Sequence, residues 1–387
     1  PRTPATTPPV PLDSPVTHAA EPDFGQFCAG DDGARFPTRR EVLVGGMDWV
    51  RFPIDAVYTW VDGSDPRWQH RKNAALLANA WAATGPQAAN ASRYLSRDEL
   101  RYSLRSLHHH APWIRHVHLV TDAQVPAWLA DHPWVTVVDH REIFGTTGRT
   151  PTFNSHAIES RLHRVPGLAE HFIYLNDDVF LGRPLTPDVF FLPSGIARFF
   201  ESGAPIEAGP VRPDDRPVMA AGKNNRDVLR ERFDRLLTRK LQHTPHPQRR
   251  SVLEEIERAC PERVAATAAH PFRHPQDLSV PSSLAPYWAY LTGRAVPGHL
   301  RYLYTDLRQP ETPLRLATLL RHRAKDVFCL NDTDSGPDAQ RSAADLLGEF
   351  LPAYFPFPAP FEKAAARPRR DAAPVAAPPR AREPEPA

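Results

Sequence analysis

Short apolar runs alternate with amphipathic stretches through most of the chain. The runs are rich in β-branched and aromatic residues, which predicts buried strands over 54–60, 117–121, 135–138, 172–175 and 327–330. Apolar residues at intervals of three and four predict helices over 66–82, 125–129, 155–164, 224–241, 249–259, 282–292 and 338–350. Another helix follows the sequence Ser96-Arg97-Asp98-Glu99, which has the pattern of a capping box. Such alternation predicts an α/β fold with a mostly parallel sheet covered on both faces.

The distribution of proline and of large apolar residues suggests where the folded part lies. The chain has 44 prolines, about twice the average frequency, and they are dense at both ends. Segments so poor in large apolar residues cannot offset the entropy of ordering, so we predict disordered tails over 1–23 and 363–387. The α/β core is predicted over 24–222 and 299–362, with a helical insertion at 223–298 on the acceptor side.

Composition excludes several classes of protein. Among 387 residues, 47 are basic and 45 acidic, and this balance gives no argument for nucleic acid as a partner. No run of about 18 apolar residues predicts a transmembrane helix. The three cysteines are widely spaced and fit neither a disulfide framework nor a four-ligand zinc site, which favours a reducing compartment. We therefore expect a cytoplasmic protein. Peripheral association at the inner face of the cell membrane and the oligomeric state are both left open.

Acidic and amide residues follow four of the predicted strands. They are Asp62, Asp122, the run Asn176-Asp177-Asp178 and the pair Asn331-Asp332. The carboxyl ends of parallel strands form the ligand crevice of an open sheet, and carboxylates gathered there repel one another unless a cation binds. Hard oxygen ligands suit Mg²⁺ or Mn²⁺, which bridge substrate phosphates. The alternative is that these are ordinary turn residues, since Asp and Asn are common after strands.

Several segments together resemble the Stealth family of sugar-phosphate transferases. The sequence IDAVYTWVDGSD at 54–65 resembles the first conserved region of that family. Its second, third and fourth regions are matched by residues 98–107, 111–113, 151–159, 172–178, 245–246, 273–277 and 329–332. The resemblance implies a GT-A-like, Rossmann-type fold and a divalent metal. It also implies transfer of a sugar-1-phosphate from a nucleotide-diphosphate sugar to a glycan hydroxyl, with release of a nucleoside monophosphate, as in capsule or exopolysaccharide synthesis.

The resemblance also implies roles for individual residues. The metal ligands are expected to be Asp177, Asp178, Asn331 and Asp332. His246, which follows Pro245 as in the family motif, is the candidate general base, with Asp178 as the competing candidate. Arg273 is expected to bind the transferred phosphate, and a salt bridge to Asp277 is the alternative.

The nucleotide is expected to contact residues near the first strand and on two helices. The candidates are Tyr58, Trp60, Asp62, Arg101 and Asn154. Tyr58 or Trp60 would lie against the base, although aromatic residues in strands usually belong to the core. Arg101 and Arg105 share one helix face and could reach a phosphate, or could simply face solvent.

Two other functions are compatible with the same residues. A conventional metal-dependent glycosyltransferase would release a nucleoside diphosphate instead of a monophosphate. A non-catalytic carbohydrate-binding protein would show no turnover. The identity of the released nucleotide separates these possibilities.

Overall fold

The computed structural model describes residues 16–20, 35–39, 50–79, 91–332 and 336–363. Its strands are β1 (Val16–Ala20), β2 (Arg35–Arg39), β3 (Ile54–Thr59), β4 (Ile114–Thr121), β5 (Val135–Asp139), β6 (His171–Asn176), β7 (Val179–Leu181), β8 (Ala197–Phe199), β9 (Glu201–Pro205), β10 (Arg239–Leu241), β11 (His246–Arg249), β12 (Ala295–Pro297), β13 (Tyr302–Asp306) and β14 (Val327–Asn331). Its α-helices are α1 (Pro66–Leu77), α2 (Glu99–His110), α3 (His140–Phe144), α4 (Ser155–Glu159), α5 (Pro217–Phe233), α6 (Arg250–Ala259), α7 (Pro261–Ala269), α8 (Ala285–Leu291), α9 (Thr312–His322) and α10 (Pro337–Tyr354).

A five-stranded sheet forms the centre of the molecule, in the order β11-β6-β3-β4-β5. The strands β6, β3, β4 and β5 are parallel, and β11 is antiparallel to β6 at one edge. Residues on both faces of the central strands are buried, as in Val57 of β3 and Leu119 of β4. The predicted α/β fold with a largely parallel sheet is therefore confirmed.

A second sheet of three strands, in the order β13-β14-β7, adjoins the first. Only Asp177 and Asp178 separate the end of β6 from the start of β7, so the chain passes from one sheet to the other at this pair. Because β14 is antiparallel to β7, the carboxyl end of β14 lies beside the start of β7. The backbone N–H of Leu330 donates to the carbonyl oxygen of Asp178 at 3.0 Å. The two sheets thus bring Asp178 next to Asn331.

Separate apolar clusters support the two sheets. The larger cluster surrounds the five-stranded sheet. The smaller one packs Phe180 and Phe328 of the second sheet against Leu316 of α9 and Leu347 and Leu351 of α10. Fully burying one such side chain contributes roughly 1.5–3 kcal/mol. The strand ends at the junction of the sheets are therefore held by packing on both sides.

Several predicted elements differ from the observed ones. Residues 125–129 form no helix, because Pro126 lies in a turn and Leu129 makes an isolated bridge to Glu362. The helix predicted over 224–241 is α5, which begins at Pro217 and ends at Phe233. Strands β1, β2 and β7 to β13 and helices α3, α7 and α9 were not predicted.

The segment predicted as a helical insertion is not purely helical. The segment 223–298 contains strands as well as helices, and β11 within it pairs with β6 of the main sheet. The predicted tails lie outside the described residues, except for β1, which pairs with β2, and for Lys363. Among the described helices, none combines the length and apolar character required to span a bilayer.

Candidate functional site

A cavity of about 710 Å³ opens at the carboxyl ends of the parallel strands. Trp60 follows β3, Asp122 follows β4, and the pairs Asp177-Asp178 and Asn331-Asp332 lie at the ends of β6 and β14; all of these residues line the cavity. Asp122 is held by Arg71, whose guanidinium donates to the carboxylate at 2.8 Å. The remaining acidic residues are concentrated at the junction of the two sheets.

Asp178 has contacts on both of its carboxylate oxygens. His243 Nε2 lies 3.2 Å from Oδ1, while Asn331 Nδ2 donates to Oδ2 at 2.9 Å and Cys329 Sγ lies 3.4 Å from Oδ2. Burial alone would raise the pKa of Asp178, but the charge and hydrogen bond of His243, together with the hydrogen bonds from Asn331 and Cys329, outweigh burial and lower the pKa. Burial conversely lowers the pKa of His243, and Asp178 more than reverses this, so the pKa of His243 is raised. Asp178 thus stabilises a proton on His243, and His243 stabilises the ionised form of Asp178.

Asp177 lies in the opposite electrostatic environment. Burial raises its pKa well above the ordinary value, and the neighbouring carboxylates of Glu99 and Asp178 raise it further. Burial also raises the pKa of Glu99. Arg97 contacts two members of this group: its guanidinium donates to Asp332 at 2.5 Å, and its backbone N–H donates to Glu99. Glu99, Asp177, Asp178 and Asp332, the carboxylate cluster, concentrate negative charge at the junction of the sheets, which favours the binding of a cation.

The oxygen atoms at the junction fit a hard divalent ion. Oδ1 of Asn331 is buried and has no hydrogen-bond partner among the described residues, while its Nδ2 is engaged by Asp178. An amide oxygen oriented in this way, together with the carboxylates of Asp177, Asp178 and Asp332, is a donor set suited to Mg²⁺ or Mn²⁺.

A second donor set overlaps the first. Asp178, His243 and Cys329 each place one potential ligand atom within 4.8 Å of the others. Cysteine binds metal as the thiolate, but burial and the adjacent Asp178 raise the pKa of Cys329 well above its ordinary value. The oxygen set is therefore the better candidate.

Arg273 lines the same cavity. It donates to Oγ of Ser155 at 2.6 Å. The alternative salt bridge to Asp277 is not formed, because Asp277 accepts hydrogen bonds from Asn154 at 2.8 Å and from His270 at 2.7 Å. Arg273 is thus directed into the cavity instead of neutralising its neighbour in sequence.

The structure places the candidate base His246 outside the cavity lining. It begins strand β11, is 5 % exposed and stacks over the ring of Tyr174. Burial lowers the pKa of His246 to about 3. His243, three positions earlier, lines the cavity and contacts Asp178. Sequence reasoning missed His243, although it belongs to the same short segment as Pro245-His246.

Of the predicted nucleotide contacts, only Trp60 lines the cavity. Its Nε1 donates to Ser96 Oγ at 3.4 Å. Tyr58 is instead a core residue, fully buried and with its hydroxyl 3.0 Å from Ser103 Oγ. Asp62 stabilises a turn by accepting from the hydroxyl of Ser64 at 2.6 Å.

Asn154 and Arg101 also have structural contacts. Asn154 is fully buried at the start of α4, where its side chain accepts from the backbone N–H of His156 and donates to Asp277. Arg101 forms an ion pair with Glu362 at 2.7 Å, away from the cavity lining. Since Glu362 also binds Arg105 at 2.5 Å, the predicted arginine face is used to hold the end of the described chain.

Arg97 and Glu99 were missed because their segment was interpreted as a capping box. In the structure Asp98 is the N-cap of α2, with φ of 65° and no side-chain capping bond. Glu99 turns back to accept from the backbone of Arg97, at the edge of the carboxylate cluster. A sequence pattern typical of a helix cap is here part of the site.

Sequence comparisons identify the relatives of this chain. Family models described as Stealth protein conserved regions 1, 2, 3 and 4 match residues 52–80, 93–199, 242–290 and 317–373. An exopolysaccharide phosphotransferase of Streptomyces coelicolor is 57 % identical over 316 residues, covering 81 % of this chain and 53 % of the relative. Exopolysaccharide phosphotransferase CpsY of Mycobacterium tuberculosis is 44 % identical over 337 residues, covering 86 % of this chain and 62 % of the relative.

This chain therefore spans between about half and two thirds of the length of these relatives. Among solved structures, a crystal structure of the galactosyltransferase LgtC with donor and acceptor sugar analogues covers 76 % of this chain and 96 % of its own. It is 12 % identical, with a TM-score of 0.34. The four matched regions together cover more than half of the sequence and include every residue of the carboxylate cluster. The chain belongs to the Stealth family.

Proposed function

We propose that this protein transfers a sugar-1-phosphate from a nucleotide-diphosphate sugar to a hydroxyl of a glycan acceptor in exopolysaccharide synthesis. The observation that carries the proposal is the group of Asp177, Asp178, Asn331 and Asp332 beside His243 in one cavity. The names of the relatives support a phosphotransferase in exopolysaccharide synthesis. Because the proposed donor is made in the cytoplasm, the proposal places the reaction there.

The diphosphate of the donor brings negative charge into a cavity that is already acidic. A divalent ion held by the four oxygen-bearing residues would neutralise that charge when bound. Arg273 lies on the cavity wall and is held by Ser155. Its planar guanidinium is suited to bind the phosphate that is transferred and to stabilise its charge in the transition state.

The acceptor hydroxyl must lose a proton as it attacks. In the proposal, His243 donates from Nε2 to Asp178, which leaves Nδ1 to accept that proton. The acceptor oxygen forms a bond to the phosphorus next to the sugar. The bond from this phosphorus to the oxygen bridging the two phosphates breaks, and a nucleoside monophosphate leaves. Asp178 stabilises the imidazolium that forms, as its effect on the pKa of His243 indicates.

The direct test identifies the released nucleotide. Purified protein is incubated with Mg²⁺, a panel of nucleotide-diphosphate sugars and an acceptor glycan, and the nucleotides are separated by chromatography. We expect a nucleoside monophosphate to form together with a phosphodiester signal in the ³¹P NMR spectrum, and both to disappear with EDTA. Release of nucleoside diphosphate alone would show a conventional glycosyltransferase. Ligand binding without turnover would support the non-catalytic alternative.

A further inference from the structure

One buried histidine of the cavity has no role in the proposed reaction. Strand β5 ends at Asp139, whose carboxylate caps helix α3 by accepting from the backbone N–H of Arg141 at 2.8 Å. His140 is therefore the first residue of α3 and stands at the carboxyl end of β5. Its side chain is 5 % exposed and lines the cavity.

Within the described part of the chain, neither ring nitrogen of His140 has a hydrogen-bond partner. Both Nδ1 and Nε2 are buried. The nearest acidic neighbours do not satisfy them, since Asp122 is bound by Arg71 and Asp139 by Arg141. Burying a polar group without a hydrogen bond is unfavourable, so two such nitrogens in a cavity wall are well placed to bind a polar ligand.

The position of His140 relative to the sheet indicates which part of a bound ligand it contacts. From β6, which ends at the carboxylate cluster, the sheet continues through β3 and β4 to β5. Three steps between neighbouring strands correspond to about 14 Å. Trp60 and Asp122 line the cavity between these points. This distance is comparable with the reach of an extended nucleoside diphosphate whose phosphates lie at the carboxylate cluster.

The charge state of His140 favours a nucleobase over a phosphate as its binding partner. Burial lowers the pKa of His140 to about 4, so the ring is neutral at physiological pH and offers one donor and one acceptor. A neutral imidazole is poorly suited to hold a phosphate. It is well suited to the polar edge of a base, and the aromatic ring of Trp60 offers a surface for stacking.

We propose that His140 hydrogen-bonds the edge of the donor nucleobase and thereby determines which nucleotide is accepted. This inference rests on the proposed function, because it takes the phosphates to lie at the junction of the sheets. His140 does not contact the reacting atoms and acts on specificity.

The experiment measures binding with and without a base. Isothermal titration calorimetry with Mg²⁺ compares UDP, GDP, CDP, ADP and dTDP with pyrophosphate, for the wild type and for His140→Leu, His140→Asn and His70→Leu. His140→Leu keeps an apolar side chain of similar volume, His140→Asn keeps a donor and an acceptor, and His70 is an exposed residue of α1 that serves as the control. Thermal unfolding of each ligand-free variant is recorded in parallel.

We expect the wild type to prefer one base. In His140→Leu the affinity for that nucleotide should fall about tenfold or more, as expected for the loss of one hydrogen bond. The affinities for the five nucleoside diphosphates should also become more similar to one another. Pyrophosphate binding should not change, and ligand-free His140→Leu should be at least as thermally stable as the wild type. His140→Asn should recover part of the affinity, and His70→Leu should match the wild type.

Three results would overturn the inference. Unchanged nucleotide affinity in His140→Leu would remove His140 from the base site while leaving the proposed function intact. An equal loss for pyrophosphate and nucleotide would show a general structural role. Failure of the wild type to bind any of the nucleoside diphosphates would reject the proposed function and this inference together.

Discussion

Nδ2 of Asn331 donates to Oδ2 of Asp178 at 2.9 Å across the junction of the two sheets. This contact fixes the orientation of the amide and leaves its buried Oδ1 without a hydrogen-bond partner among the residues described. Asp178 precedes β7 and Asn331 ends β14, and the antiparallel pairing of these strands brings the two together. The geometry of the site thus depends on how the two sheets join.

Replacing Asp178 by Asn should nearly abolish turnover. The substitution removes the negative charge that Asp178 brings to the proposed metal site and to its contact with His243, and it leaves one accepting oxygen where two now serve His243 and Asn331. We expect the rate of nucleoside monophosphate release to fall about a thousandfold, equivalent to roughly 4 kcal/mol of activation free energy. Asp188→Asn, an exposed carboxylate away from the cavity lining, is the matched control and should retain wild-type turnover. A rate for Asp178→Asn within tenfold of the wild type would exclude Asp178 from the chemistry.

His243 and His246 should respond differently to substitution. His243→Ala removes the proposed base and should lower the rate by about 10²–10⁴-fold. His246→Phe removes both ring nitrogens but keeps an aromatic ring against Tyr174, so turnover should stay within a few-fold of the wild type. Single-turnover rates at saturating donor measure both. A large loss of rate in His246→Phe with little loss in His243→Ala would indicate that His246 is the base.

His243 and His246 also show what the sequence could not predict about the site. The sequence singles out the segment around Pro245, but which histidine faces the cavity depends on where β11 begins and on its pairing with β6. That pairing joins residues far apart in sequence and leaves no local periodic signal. The buried strands β6 and β14 were predictable because each is a continuous apolar run ended by acidic or amide residues.

Substitution of Arg273 should slow the transfer of the phosphate more than it weakens binding of the acceptor. Arg273→Ala removes a guanidinium from the cavity wall, and we expect kcat to fall about 100-fold. Arg273→Lys keeps the charge but not the planar fork, so it should restore only part of the rate. Ser155→Ala, which removes the 2.6 Å contact, should have a smaller effect of the same kind. Steady-state kinetics with varied donor and acceptor would separate these effects, and a change confined to the acceptor KM would contradict the assignment.

Arg101 should be dispensable for catalysis. It pairs with Glu362 outside the cavity lining, so Arg101→Ala should leave kcat and the donor KM within about twofold of the wild type. Glu362 keeps its second partner, Arg105, in this variant and the expected loss of stability is about 1 kcal/mol. Arg105→Ala removes the more buried arginine and should cost more, roughly 1.5–3 kcal/mol, although Glu362 keeps Arg101. Urea unfolding measures the loss of stability, and donor titrations measure KM. A large rise in donor KM for Arg101→Ala would indicate that Arg101 binds the donor phosphate.

The helix face carrying Arg101 illustrates a general limit of sequence reasoning. Spacing correctly places Arg101 and Arg105 on one face of α2, but it cannot show what that face meets. The partner, Glu362, lies far along the chain in the last described segment. Similarly, the sequence indicates acidic strand ends but cannot show that Arg97 and Glu99 join them, because their local pattern is typical of a helix cap.

Asp55 should make folding stability depend on acid pH. It is fully buried in β3 and accepts from Arg115 at 2.6 and 2.8 Å, from His118 at 3.3 Å and from the backbone N–H of Ala169 at 2.8 Å. Burial alone would raise its pKa, but these hydrogen bonds outweigh it and lower the pKa to about 2. A group with a lowered pKa in the folded state stabilises the protein above its ordinary pKa of 3.8 and loses this effect as pH falls toward 2.

Asp55→Asn tests this contribution without changing the size of the side chain. At pH 6 the variant should be less stable than the wild type, because Arg115 loses its ionised partner. Below pH 4 the difference in the free energy of unfolding should shrink, by about 2 kcal/mol over the full titration. Urea unfolding at intervals between pH 6 and the lowest pH at which both proteins fold provides the measurement, with Asp188→Asn as the control. A difference between wild type and Asp55→Asn that stays constant across this range would show that the Asp55 carboxylate has the same proton affinity in the folded and unfolded chains.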